Sequence, residues 1–407
     1  MTPYRIIFTA LLPFASGYFM SYLLRAVNAV VAPDLVKDVG LSPAQLGLLT
    51  AAYLGAFALF QLPLGVLLDR YGPRKVQAGL LSIAALGCLA FAFAPGFIGL
   101  FAARAVIGLG FSAGLMASYK SSATWVPIER RSLANTAIMS VGALGVVVAT
   151  EPTEYLVSLI GWRNAFTVFA GVIMLAVIFI LAAAPRDDTV GAQAPLRQQF
   201  GQMLAIIKLP LFWRVAPLLG FTSGVQIGIQ TLWAGPWFRD VMGFSREEVA
   251  RHLLFMALAF MVGILSVGVI ADQLGRRGIG PMRVLLGFNI IYFIAQVLIV
   301  FRVGPLMFPA WLAVAAFGQV AVLGFPWFAA HIGKDLAGRA NATINFSMFV
   351  VAFAAQYLVG LIIGLFPASA SGYSPDGYSW AIGLFLVAQI AAFIWYLVGS
   401  PHKERMP

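Results

Sequence analysis

The chain has 407 residues, of which 61% are hydrophobic and only 10% are charged, and its formal net charge is +11. Soluble globular proteins carry about 25% charged residues, and disordered chains are poor in apolar residues, so both classes are excluded. The single cysteine, Cys88, excludes a disulfide framework and a cysteine-based metal cluster. The composition therefore predicts a polytopic membrane protein.

Twelve stretches of mostly apolar residues are long enough to cross a bilayer as helices, which takes about 20 residues each. In chain order, these predicted spans 1 to 12 are 6–31, 45–67, 76–94, 97–125, 134–160, 165–184, 212–237, 252–270, 283–301, 306–332, 341–366 and 379–398. The ten-residue alternation of a membrane β-barrel is absent from the sequence. The first stretch is long, contains Arg25 and has no small-residue cleavage site, so we interpret it as span 1 and not as a signal peptide.

The distribution of Lys and Arg predicts that both termini lie in the cytoplasm. With the N-terminus inside, 17 of the 26 basic residues fall in inside segments, 6 fall outside and 3 lie within spans. This bias follows the positive-inside rule. The net charge therefore reflects topology, and since the basic residues sit in separate short loops, a nucleic-acid surface is excluded. We expect a multi-pass protein of the bacterial inner membrane, in contact with the lipid bilayer.

The longest inside connection, 185–211, divides the twelve spans into six and six. This division predicts an N-terminal bundle over 1–184 and a C-terminal bundle over 212–407, joined by a cytoplasmic linker. Within the linker, residues 198–208 have the composition of a short amphipathic helix at the membrane surface.

The two halves carry the same short motif after their second spans. Residues 65–75 read GVLLDRYGPRK and residues 268–277 read GVIADQLGRR, so both contain G-x-x-x-D-x-x-G-x-R. One copy is typical of any positive inside loop, whereas two copies at matching loops indicate an internal repeat of six spans. Gly72 and Gly275 supply the backbone freedom that a tight turn requires.

We interpret the repeated loop as a latch that locks one conformation of a gate. Each aspartate lies at the inner membrane surface, where a neighbouring helix N-terminus or an arginine can pair with it. Lys120, near the inner end of span 4, either snorkels to the cytoplasm or belongs to the same inner gate. The candidate gating residues are Asp69, Arg70, Arg74, Asp272, Arg276 and Lys120.

Further residues extend the likeness to a known family. They are the run RAVIGLG at 104–110, the 4–5 loop at 127–131, and GWR at 161–163. With the repeated loop, they make the chain resemble a major facilitator superfamily transporter over essentially its whole length. The resemblance implies an all-α fold of two pseudo-symmetric six-helix bundles, a central cavity, alternating access by rocking, and a working monomer. The residues alone indicate only twelve spans and a repeat.

Arg25 lies within span 1, and an ionisable group inside a span is a functional candidate because burying it is costly. Tyr18, Tyr22 and Arg25 share one helical face, with Asn28 beside it, and a guanidinium binds a carboxylate through two parallel hydrogen bonds. The alternative is an arginine that snorkels outward or pairs with an acid. The run 22–33 resembles the span 1 signature of anion:cation symporters, in which this arginine contacts an anionic substrate, although Leu24 replaces their usual acid.

Arg104 in span 4 and two acids in span 5, Glu151 and Glu154, are the candidates for proton coupling. Depth along the helices, at about 1.5 Å per residue, places Arg25, Arg104 and Glu151 at one level in the outer half of the bundle. A buried carboxyl group can carry a proton, and Glu151 is the deeper acid. Glu154 is expected to pair with Arg163 or another outer cation. The resemblance links Arg104 to coupling, while the alternative for each residue is a structural ion pair.

The C-terminal half offers amides and aromatic rings in place of intramembrane charge. Gln226, Gln230 and Trp233 share one face of span 7, and an amide can donate to a carboxylate and accept from a hydroxyl. Since span 7 corresponds to span 1 in the six-span repeat, this face is expected opposite Arg25 across the cavity. Packing of the amides between helices is the alternative.

The leading hypothesis is a secondary transporter that takes up a small organic anion together with protons. Proton-driven efflux of drugs or metabolites is the second hypothesis, and a transporter-like ligand sensor is the third. Sodium coupling and exchange are alternatives to proton coupling. The sequence has no catalytic set, its three histidines lack metal spacing, and it has no phosphate-binding loop. We therefore expect no enzyme activity, no metal and no cofactor.

Overall fold

The computed structural model describes residues 7–185, 196–333, 336–368 and 372–399, and this part of the chain is helical. Residues 186–195 of the predicted linker lie outside the described residues. The helices of the N-terminal half are Ile7–Leu11, Leu12–Ala26, Asn28–Val39, Pro43–Phe93, Phe97–Gly110, Gly114–Trp125, Ile128–Arg130, Arg131–Val148 and Glu151–Ala183. Those that follow are Leu196–Ile207, Pro210–Gly228, Ile229–Trp233, Ala234–Met242, Arg246–Arg276, Pro281–Val300, Gly304–Leu306, Met307–Phe317, Val320–Leu323, Gly324–Ile332, Ala337–Gly364 and Pro375–Val398.

The twelve predicted spans are confirmed once two long helices are divided. Nine helices in the described residues are long and apolar enough to cross a membrane, and a pair bent by 89° supplies a tenth. Gly72 interrupts Pro43–Phe93 and Gly161 interrupts Glu151–Ala183, each with φ near +77° and an extended ψ. The first break separates spans 2 and 3. The second separates span 6 from span 5, whose other part is the helix Arg131–Val148.

In the second copy of the repeated loop, the turn lies three residues later than the sequence predicts. Gly72 has the positive φ that a tight turn needs, at +76°. Gly275 remains inside the helix Arg246–Arg276, and Gly278 carries the positive φ instead, at +82°. The expectation for Gly275 is therefore wrong, and Asp272 and Arg276 form an exposed ion pair one turn apart within this helix.

The two ends of the helical bundle are distinguished by hydrogen bonds to the terminal segments. Ser121 donates to the Ala10 carbonyl at 2.6 Å, and Arg214 donates to the Trp395 carbonyl at 2.6 Å. The first and last described residues of the chain therefore lie at one face, named the terminal face below. The opposite face, which holds the ends of spans 1, 5 and 7, is named the distal face.

The halves pack tightly against each other toward the distal face through glycines. A Cβ atom on Gly235 would lie 2.2 Å from the Ala29 carbonyl oxygen, and one on Gly360 would lie 2.4 Å from the Pro43 oxygen. Such close backbone approach is available only where no side chain intervenes. The distal side of the interface is therefore closed.

Five spans are broken near the middle of the bundle, where the site lies. The helical geometry changes at Val27 in span 1, at 111–113 in span 4, at 149–150 in span 5, at Ile229–Trp233 in span 7 and at 318–319 in span 10. A break frees backbone groups from the helical ladder, and inside a membrane such groups are tolerated only where protein or a cavity satisfies them. The breaks in spans 5, 7 and 10 adjoin the residues that line the central cavity, Thr150, Gln230 and Gln319.

Candidate functional site

A cavity lies between the two halves. Its N-terminal wall includes Tyr22, Arg25 and Thr150, and its C-terminal wall includes three glutamines and the ring of Phe260. The glutamines are Gln226, Gln230 and Gln319. The structure therefore places the Arg25 face of span 1 opposite the glutamine face of span 7. Most other lining residues are apolar, as in small-molecule sites generally.

Arg25 is the only charged residue on the lining of this cavity in the described part of the chain. It is 8% exposed, and its Nε has no hydrogen-bond partner. None of the ion pairs among the described residues includes it. A buried charge without an opposite charge is costly, so this guanidinium is disposed to bind an anion.

Four aromatic rings surround the Arg25 guanidinium. Its Cζ lies 4.8 Å from the ring centre of Tyr22, 4.9 Å from Phe57, 5.1 Å from Phe349 and 5.9 Å from Tyr53. Each such contact stabilises a cation by roughly 0.5–2 kcal/mol. Because Phe349 belongs to the C-terminal half and the other rings do not, movement of the halves changes the surroundings of this charge.

Arg104 stands behind Arg25 and is also buried without a carboxylate. Its Nη1 donates to the Leu24 carbonyl at 2.9 Å, whereas its Nε and Nη2 have no partner. Arg25 and Arg104 also line one narrow crevice together with Tyr53 and Gln356. The described ion pairs include neither arginine, so two positive charges lie close to the cavity without a compensating acid.

The glutamines of the opposite wall form one hydrogen-bonded chain. Gln319 Nε2 donates to Gln226 Oε1 at 2.5 Å, and Gln226 Nε2 donates to Gln230 Oε1. The π-helical turn Ile229–Trp233 turns Gln230 toward the cavity. This wall is neutral and offers both donors and acceptors, which suits hydroxyl groups as well as a carboxylate.

Three predicted contact residues support the walls and do not line this cavity. Tyr18 packs edge-on against Tyr22, with ring centres 5.0 Å apart. Asn28 donates to Thr50 Oγ1 at 2.8 Å, and Trp233 donates to a backbone carbonyl of span 11 at 2.9 Å. The Asn28 amide and the Trp233 indole N–H are therefore used between helices, whereas Tyr18 packs on Tyr22 within span 1.

Other residues of the site were missing from the sequence prediction. Tyr53 and Phe57 lie one turn apart in span 2, which is a detectable aromatic face, but the residues that they meet are far away in the sequence. Phe349 and Gln319 come from spans 11 and 10. Only the tertiary packing brings these residues to Arg25 and Gln226.

Glu154 joins the two halves at the distal face. It pairs with Arg246 at the start of span 8, and Arg246 also donates Nη1 and Nη2 to the two carboxylate oxygens of Asp34 at 2.8 and 2.7 Å. We name Asp34, Glu154 and Arg246 the distal bridge. The two acids belong to the N-terminal half and the arginine to the C-terminal half. The outer cation that the sequence predicts for Glu154 is thus Arg246, which belongs to the other half.

Glu151 lies one turn before Glu154, is half-buried and takes part in none of the described ion pairs. The ion pair with Arg25 or Arg104 considered for it is not formed. Arg163, a candidate partner of Glu154, instead donates to the carbonyls at the end of span 3 at 3.0 and 2.9 Å.

The predicted gating residues bond within their own halves at the terminal face. Lys120 pairs with Asp69 and donates to the Leu68 carbonyl at 2.8 Å, and Arg74 donates to the Leu181 carbonyl. In the second copy, Asp272 and Arg276 pair only with each other at 2.9 Å, and their side chains are 65% and 80% exposed. Arg70 is exposed and lies over the ring of Tyr71.

Among the described residues, the ion pairs that cross between halves are those of the distal bridge. The distal face is therefore held shut by charge as well as by glycine packing. In the same part of the chain, no group of three or more His, Cys, Asp or Glu side chains is placed to hold a metal ion.

Comparison with known sequences agrees with this architecture. The profile of the Major Facilitator Superfamily matches residues 14–356. The "Probable sulfoacetate transporter SauU" of Cupriavidus necator is 25% identical over 85% of this chain and 85% of its own length. The "Hexuronate transporter" of Escherichia coli K12 is 26% identical over 88% and 87%. The "Probable galactarate/D-glucarate transporter GudP" of the same organism is 23% identical over 84% and 83%.

Solved structures share the fold. A bacterial homologue of the human lysosomal transporter Spinster, in an inward-facing and occupied conformation, superimposes with a TM-score of 0.76 at 19% identity and covers 98% of this chain and 97% of its own. A D-xylose-proton symporter superimposes with a TM-score of 0.73 at 16% identity, covering 97% and 98%.

Proposed function

Because this chain belongs to the Major Facilitator Superfamily, whose members are membrane transporters and not enzymes, we propose that it carries a small organic anion across the membrane together with protons. The bundles 1–184 and 212–407 rock about the central cavity, with the linker 185–211 between them. Uptake is the proposed direction, and a single chain is the working unit.

The observation that carries this proposal is the uncompensated charge of Arg25. A guanidinium that is 8% exposed lines the cavity between the halves, and no described acid pairs with it. An anionic solute supplies the missing charge and can bind through two parallel hydrogen bonds. The cation then holds the charged end of the solute, and the amides of Gln226 and Gln230 hold the rest.

The chemistry of the two walls favours a carboxylate that also carries hydroxyl groups. The three glutamines on the cavity lining provide donors and acceptors for hydroxyls. Two of the relatives described above are named for sugar acids and a third for sulfoacetate, which is also an organic anion. Sugar acids are therefore the first solutes to test.

We propose that the distal face is the outer face, since the Lys and Arg bias then places both termini in the cytoplasm of a bacterial inner membrane. Glu151 and Glu154 are the proposed proton carriers. Glu151 has no described ion-pair partner to displace, and protonation of Glu154 weakens the distal bridge. Arg104 supports the charge of the site from behind, while Asp69 and Lys120 with Arg74 stabilise the terminal-face gate.

Uptake by purified protein in liposomes tests the proposal. Sulfoacetate, D-glucuronate and galactarate are offered at external pH 6 and pH 8, with D-glucose as the neutral solute. We expect saturable uptake of at least one anion, faster at pH 6, and none of D-glucose. Replacement of Arg25 by Met should lower uptake by at least about 100-fold, because a desolvated charge pair contributes several kcal/mol to binding.

A matched control is Arg302→Gln. Arg302 forms an ion pair with Asp376 within the C-terminal half and lines none of the cavities described here. It should transport like the parent protein. Normal anion uptake by Arg25→Met, or equal uptake of D-glucose, contradicts the proposed function. Faster loss of preloaded anion than uptake under an inward proton gradient would indicate export instead.

A further inference from the structure

A further cavity, named the distal cavity, lies between the halves on the distal side of the central one. The two cavities share Ala29 and Val30 as lining residues, so they are neighbours along one path. The distal cavity contains two guanidinium groups of the C-terminal half, from Arg239 and Arg246, and one carboxylate of the N-terminal half, from Glu154. A solute that enters through the distal face meets these charges before it meets Arg25.

The two arginines of the distal cavity differ in where their partners come from. Arg239 binds Asp240 at 2.7 and 3.1 Å, and this partner lies in the same span and also accepts a hydrogen bond from Tyr378. Arg246 binds Asp34 and Glu154, which both belong to the opposite half. Separation of the halves at the distal face therefore leaves Arg239 paired and leaves Arg246 without either acid.

Arg246 is already arranged to receive a carboxylate. Its Nη1 and Nη2 hold Asp34 in the two-bond geometry at 2.8 and 2.7 Å, and its side chain is 40% exposed. A free carboxylate can take the same position once Asp34 has withdrawn. Loss of both acids would leave Arg246 and the neighbouring Arg239 with a net positive charge at the mouth of the distal cavity, which attracts an anion.

We propose that Arg246 is a second anion site, at the distal mouth of the transport path, for small organic carboxylates. In the closed distal face it binds Asp34 and Glu154, and in the open face it binds the carboxylate of the arriving solute, which then passes to Arg25. Reclosure of the bridge displaces the solute inward. This inference rests on the proposed transport of an organic anion, but it concerns a different residue and a separate step.

Cysteine labelling at Val30 tests the site without measuring transport. The native Cys88 is completely buried, and Val30 is 5% exposed in the closed state and lines both cavities. In Val30→Cys protein, added Asp34→Asn or Arg246→Gln should each accelerate labelling by a membrane-impermeant maleimide about tenfold, since each weakens the distal bridge. Val30 also lines the central cavity, so Arg25→Met is added to both variants to remove binding there. Sodium D-glucuronate should then slow labelling of the Asp34→Asn protein and leave the Arg246→Gln protein unaffected.

If Arg246 binds the anion, only the Asp34→Asn protein is protected from labelling. If the distal bridge is only a structural latch, the anion has the same effect on both variants. Arg302→Gln is the matched control and should label like the parent. Equal protection in both variants, or no protection of Asp34→Asn, overturns the proposal. Liposome uptake tests the proposed function separately from this labelling experiment.

Discussion

The two walls of the central cavity are built from corresponding spans but carry different chemistry. The first span of the N-terminal half presents a buried guanidinium, Arg25, with Arg104 behind it and aromatic rings around it. The first span of the C-terminal half presents a neutral chain of glutamine amides. Both spans are irregular at this level, at Val27 and at Ile229–Trp233.

The difference indicates that the two halves have different roles in binding, although they share the six-span repeat. A charge binds strongly but recognises little shape, whereas amides bind weakly and recognise the pattern of donors and acceptors. The N-terminal wall is therefore expected to determine whether a solute binds, and the C-terminal wall to determine which solute binds. Each prediction below alters one wall or one half and leaves the other unchanged.

The largest effect is expected at Arg104 in the N-terminal wall. Arg104→Met removes a buried charge and the hydrogen bond to the Leu24 carbonyl at the break of span 1, so uptake efficiency should fall by about 100-fold. Initial uptake rates in liposomes measure this effect. Arg163→Met is the matched control, because Arg163 also donates to backbone carbonyls and stacks on a ring but lines none of the described cavities. Equal loss in both variants would mean that only packing is affected.

A smaller effect is expected in the C-terminal wall. Gln230→Leu removes one amide from the cavity, so KM for a sugar acid should rise by about fivefold to tenfold, as expected for one neutral hydrogen bond. KM for sulfoacetate, which has no hydroxyl groups, should change less. Gln389→Leu is the control, since this amide bonds Gln296 inside the C-terminal half and does not line the central cavity. If the two solutes lose affinity equally, the amide wall does not select among anions.

The smallest effect is expected from the repeated loop, and it should differ between its copies. Asp69→Asn breaks the partly buried pair with Lys120 and should lower the uptake rate by about threefold. Asp272→Asn breaks an exposed pair, and such pairs contribute little, so the rate should not change. Uptake measured side by side gives the comparison. An equal loss in both variants would show that the exposed copy acts in gating as well.

The sequence was sufficient for the fold, because hydrophobic length and the repeated loop are local properties. It also brought Arg25, Tyr22, Gln226 and Gln230 to one cavity, since helical periodicity and the six-span repeat fix which faces meet. The sequence could not place Phe349 or Gln319 in the site, because no residue near them in the chain indicates that they contact Arg25 or Gln226.

The distal bridge shows the same limit for charged residues. Asp34 and Arg246 lie near the ends of predicted spans, where charges are common and usually solvated. Only the packing of the two halves against each other brings Asp34 and Arg246 together. The prediction for Gly275 failed for a different reason: the motif aligns Gly275 with Gly72, but the helix of the second copy runs through Gly275 and the turn lies at Gly278.

Binding to purified protein tests the uncompensated charge of Arg25 most directly. The melting temperature is measured with D-glucuronate and with its uncharged amide, for the parent protein and for Arg25→Met. The account predicts that the carboxylate stabilises the parent, that the amide does so far less, and that the variant folds but responds to neither. Equal stabilisation of Arg25→Met by the carboxylate would show that the anion binds elsewhere, and would contradict the account.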